Sequence, residues 1–106
     1  MLSETDRRIL ERLAGRLREE YPQARIWAFG SGARGDAEEE SDFNICVVLP
    51  ASNEDIQDHV RHLAWEIAFD EGTAFYTLVL STEEFERGPM SESTLVENIL
   101  REGIAA

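Results

Sequence analysis

The chain has 106 residues and a mass of 12.0 kDa, a length that suits one domain over residues 1–106. Hydrophobic residues make up 42% and charged residues 30%, which excludes an intrinsically disordered composition. Asp and Glu total 22 against 10 Arg and no Lys, a formal net charge of -12, so binding to nucleic-acid phosphates through counterion release is not expected.

Cys46 stands alone, which excludes an internal disulfide framework and a cysteine zinc cluster. No run approaches the roughly 20 apolar residues of a membrane span, and the acidic opening Met-Leu-Ser-Glu-Thr-Asp does not read as a signal peptide. The expectation is a reduced, cytoplasmic chain without membrane contact.

In chain order, Ser3 with Asp6 predicts a helix start, and Ile9, Leu10, Leu13, Leu17 and Tyr21 recur at helical spacing up to Pro22. Residues 24–29 predict a strand. A glycine-punctuated segment, Gly30-Ser31-Gly32-Ala33-Arg34-Gly35, and an acidic stretch from Asp36 to Glu40 follow. Residues 43–49 predict a second strand closed by Pro50. Ser52 or Asn53 caps a helix carrying Ile56, Val60, Leu63 and Ile67 on one face, with Gly72 as its C-terminal stop.

Residues 73–81 predict a third strand. Ser81 with Glu84 opens a short helix that Gly88-Pro89 interrupts, and Ser91 or Ser93 starts a last helix through Leu95, Ile99 and Leu100 to Gly103. The order is α-β-(turn or short helix)-β-α-β-α-α, an α/β chain of the α+β type. Leu13, Leu17, Ile26, Ile45, Val47, Ile56, Val60, Leu63, Ile67 and Leu78 are expected to be buried together.

The chemistry concentrates between Phe29 and Leu49. A strand ending in Phe29 delivers Gly30-Ser31 into a tight turn with no Cβ barrier. Free N–H groups and the Ser31 hydroxyl then converge on an anion, and Arg34 adds a positive charge. Ten residues separate Ser31 from Asp42, and Asp42 and Asn44 at i and i+2 share one face of a strand. A phosphate cradle beside a hard-metal site is what phosphoryl or nucleotidyl transfer requires.

Plainer roles fit the same residues. Gly30-Ser31 serves as a strand-to-helix turn, Arg34 pairs with Asp36 or Glu38, Asp42 caps a strand, and Asn44 is a polar residue near a turn. His59 and His62, three apart, suit a helix surface better than a zinc site without further ligands. Cys46 reads as an inert core thiol, and Trp27, Trp65, Phe75 and Tyr76 as core or interface residues.

With Gly30-Ser31, ten residues, then Asp42-Phe43-Asn44, and with Ala33-Arg34-Gly35 inside the gap, the chain resembles the minimal nucleotidyltransferase family. That family lies within the DNA polymerase beta-like superfamily. The resemblance implies a small mixed sheet with helices packed mainly on one face. It further implies two divalent ions, Mg²⁺ by expectation, held by two carboxylates of the second strand and a third from a later strand. Gly30 and Ser31 would grip the phosphates of a nucleoside triphosphate such as ATP, whose nucleotide passes to an acceptor hydroxyl. Small members of the family often act as antitoxins to a HEPN-domain toxin.

Two positions depart from the pattern. Asn44 replaces the second carboxylate, and residues 73–81 contain no Asp or Glu; Asp70 and Glu71 lie before Gly72 and are poor substitutes. Paired metal ions repel one another and need carboxylates between them. The expectation is a degenerate site, with Asp42 and Asn44 as remnant metal and catalytic residues holding at most one weakly bound Mg²⁺. Such a chain acts through a protein partner, a HEPN-type toxin by the resemblance, with self-association left open. The alternative is an active transferase that moves a nucleotide to a protein or small-molecule hydroxyl.

Overall fold

The computed structural model describes residues 3–29, 44–87 and 94–106. Helix α1 spans Glu4–Glu20, and the Ser3 hydroxyl accepts the Asp6 N–H at 3.1 Å, which satisfies one of the free donors of the first turn. The main chain leaves the helix at Tyr21, whose N–H still reaches the Leu17 carbonyl before Pro22 ends the pattern.

Strand β1 (Arg25–Phe29) and strand β2 (Asn44–Leu49) follow, then helix α2 (Glu54–Glu71). Asn53 caps α2 through its side-chain oxygen on the Ile56 N–H, and Gly72 closes it in the left-handed region at φ 70°. A Cβ at that φ would be strained, so glycine is the suitable stop.

Strand β3 (Tyr76–Ser81) runs directly into helix α3 (Thr82–Arg87). Ser81 and Glu84 cap it reciprocally: the Ser81 N–H donates to the Glu84 carboxylate at 2.9 Å, and the Glu84 N–H to the Ser81 hydroxyl at 3.1 Å. Helix α4 (Thr94–Glu102) leads through Gly103 into a two-residue strand β4 (Ile104–Ala105). A Cβ on Gly103 would collide with the Ile99 carbonyl, so the sharp exit from α4 into β4 requires glycine. Strand β4 is an element that the sequence pattern does not announce.

The sheet order is β3-β2-β1-β4, with β1 antiparallel to both β2 and β4, and β2 parallel to β3. It is the expected small mixed sheet of an α+β chain. The two long helices, α1 and α2, cover one face, where Ile9, Leu13, Leu17, Val60, Leu63 and Ile67 meet Ile26, Ile45, Val47, Leu49 and Val79. The two short helices cover the other, where Phe85, Val96 and Ile99 meet Cys46, Val48 and Leu80.

Eight of the ten expected core residues are buried in the first cluster, and Ile56 packs against it partly buried. Leu78 is a correction. The one-residue alternation of a strand gives Val79 to that cluster and turns Leu78 to the opposite face, beside Cys46. Cys46 is fully covered, as expected of a core thiol, and burial pushes its thiol up to about 12.

A charged clasp ties α1 to the end of α2. Arg8 donates to both Glu71 oxygens, the closest contact being 2.7 Å, and Arg12 reaches Asp70 and Glu71 at 2.8 Å each. Hydrogen bonds from Arg8, then Arg12, hold the Glu71 carboxyl below its ordinary range. A lowered folded-state value stabilises the fold above the unfolded glutamate range. That contribution is lost as pH falls through the folded value. The expected result is a urea midpoint that declines on acidification below about pH 4.3. Glu71→Gln should have a lower midpoint at pH 7 and a shallower acid decline, read from urea melts across that range.

Candidate functional site

Where β1 ends, β2 and β3 both begin, because β1 is antiparallel to β2 and β2 is parallel to β3. Three residues therefore stand in a row: Phe29 pairs with Asn44, and Asn44 pairs with Tyr76. By strand alternation they share the face that carries Trp27, Cys46 and Leu78, the face of the short helices. Asn44 and Phe29 are half-buried and Tyr76 is 68% exposed, so the row opens to solvent at its β3 end.

Of the residues singled out from the sequence, Asn44 is placed here, as the first residue of β2. Gly30, Ser31, Arg34 and Asp42 lie outside the described residues. The strand ends that bracket them, Phe29 and Asn44, are register partners, so the segment starts and finishes on adjacent strands.

The strand parallel to β2 brings no carboxylate to the row. Strand β3 reads Tyr-Thr-Leu-Val-Leu-Ser, and the side chain facing Asn44 across the register is a phenol. Asp70 and Glu71 sit at the end of α2, as expected, and are engaged by Arg8 and Arg12 on the α1 side. Among the described residues no group of three or more His, Cys, Asp or Glu could hold a metal ion. The donors that the described residues gather here, one amide and one phenol, do not fit a pair of divalent ions.

The histidines go elsewhere. His59 contacts Glu20 of α1 at 2.8 Å, and His62 contacts Glu66 at 2.9 Å on its own helix. Below the row, the short-helix face is closed by Trp27 stacked on Phe85 with ring centroids 5.2 Å apart, and the Arg25 guanidinium lies 5.0 Å over Trp27. Tyr76 and Phe29 are the neighbours of Asn44 that sequence reasoning does not identify. Strand register brings them there, and no local pattern encodes it.

No helix among the described residues is long and apolar enough to cross a membrane. A comparison with curated proteins gives no match. A family model described as a nucleotidyltransferase domain matches residues 10–105, which takes in every strand of the sheet and nearly all of its helices, and the chain belongs to that family.

Proposed function

We propose that this chain is a nucleotidyltransferase-fold scaffold whose metal centre is degenerate and which works through a protein partner. The observation that carries this reading is the Phe29–Asn44–Tyr76 row. The position that matches the second carboxylate of the family pattern holds an amide, and its register neighbour on β3 is a phenol. An amide carbonyl can still ligate a single Mg²⁺, but it supplies no charge to offset the repulsion between two cations.

Gly30, Ser31 and Arg34 are then the phosphate-binding residues, and Asp42 with Asn44 holds at most one ion beside a nucleoside triphosphate. The ends that bracket residues 30–43 support this, since Phe29 and Asn44 are register partners on neighbouring strands. The partner class implied by the family resemblance is a HEPN-domain toxin, and the chain is its antitoxin.

Calorimetry with ATP and Mg²⁺ or Mn²⁺, followed by a labelled-nucleotide transfer assay in the presence of such a toxin, tests the proposal. Weak binding without transfer is the expected outcome, with toxin neutralisation unchanged in Asp42→Ala. Transfer that disappears in Asp42→Ala would overturn it in favour of an active transferase.

A further inference from the structure

Among the described residues the sheet ends on one side at β3, and helix α2 packs against the same sheet. Between them lies an open groove of about 400 Å³ whose walls include Arg61, Trp65 and Phe69 of α2, Thr73, and Tyr76 of β3. Trp65, Phe69 and Tyr76 are 61%, 76% and 68% exposed. Trp65 and Phe69 are stacked with ring centroids 5.4 Å apart, so the stripe is already ordered. The two stacked rings expose on the order of 300 Å² of aromatic surface, within the range of patches that mark interaction sites.

We infer that this groove is a self-association surface, occupied by the same groove of a second copy around a twofold axis. Charge selects the occupant. The chain contains 22 acidic residues, yet no described residue lining the groove is Asp or Glu. The carboxylates flanking it on α2 each have a partner: Asp58 pairs with Arg61 at 3.9 Å, Glu66 contacts His62 at 2.9 Å and Asp70 contacts Arg12 at 2.8 Å. A basic partner would find little here to pair with. Two copies of a chain with net charge -12 repel almost everywhere else, and this face lets them meet without opposing carboxylates.

Geometry agrees. Around a twofold axis β3 lies antiparallel to the second β3, and identical edges complement each other strand to strand. The aromatic stripe supplies about a third of the roughly 800 Å² per partner of a standard interface, and the strand edge adds main-chain pairing. Arg61, whose ion pair with Asp58 is loose at 3.9 Å, is free to lie over an aromatic ring of the second copy. Because Tyr76 both lines the groove and pairs with Asn44, the seam runs one strand away from the candidate site.

Sedimentation velocity over a concentration series tests this with wild type, Trp65→Glu and Phe69→Ser, folding being checked by circular dichroism. A wild-type dimer is expected, weakened about 30-fold or more by either substitution. Added salt should tighten it, since screening removes the repulsion between the two acidic bodies. Three results would overturn the inference: a wild type that stays monomeric at every soluble concentration, a dimer indifferent to both substitutions, or one that dissociates as salt rises.

Discussion

Leu63→Ala is expected to lower the free energy of unfolding by about 2–5 kcal/mol, with a fall in Tm of roughly 10 °C or more. Leu63 is 3% exposed and sits on the α2 face that meets the sheet, among Leu13, Leu17, Ile45, Val47 and Ile67. Truncation removes three carbons from a site that the surrounding helices and strands cannot refill without moving. Trp65→Ala, two residues further along the same helix, removes a larger side chain that is 61% exposed. With both proteins dilute enough to be monomeric, its cost should be within about 0.5 kcal/mol, as for other surface changes. The pair therefore reports helix orientation: a urea melt showing less than 1 kcal/mol for Leu63→Ala would mean that α2 presents another face to the sheet.

The helix ends were legible because their signals are local. Ser3, Asn53 and Gly72, and the reciprocal Ser81–Glu84 pair, each act within a few residues of their own position. The same holds for the apolar stripe of α2, whose period needs no knowledge of the partner. Strand facing was less legible. Residues 45–49 of β2 are buried on both faces, which erases the alternation that would have told Leu78 from Val79 across the register.

Long-range features were silent in the sequence. The Arg8 and Arg12 clasp reaches 58 to 63 residues ahead, and β4 is too short to show a pattern. The candidate site divides along the same line. Asn44 could be singled out because its motif is contiguous, whereas Phe29 and Tyr76 join it only through an antiparallel and a parallel pairing. The absence of Asp and Glu from residues 73–81 was visible in the sequence, and the structure adds which side chain stands opposite Asn44.

That opposition makes Asn44→Asp the most informative single change at the site. It is expected to raise Mn²⁺ affinity by about tenfold or more, since a full negative charge beside a divalent cation outweighs an amide dipole by well over 1.4 kcal/mol at any reasonable dielectric. Without metal the new carboxylate, half-buried between Phe29 and Tyr76, should lower the melting temperature slightly. Mn²⁺ should restore the loss and then exceed it, because an ion that binds only the folded chain stabilises it by mass action. Adding Tyr76→Asp places a second carboxylate on the adjacent strand, about 4.8 Å away in the sheet, within reach of the same ion. The double variant should show the larger Mn²⁺-dependent rise in thermal melts, while the wild type shows the smallest. A wild type whose melting temperature rises with Mn²⁺ as steeply as that of the double variant would mean that the native residues already hold the metal well. The Phe29–Asn44–Tyr76 row would then no longer support a degenerate centre.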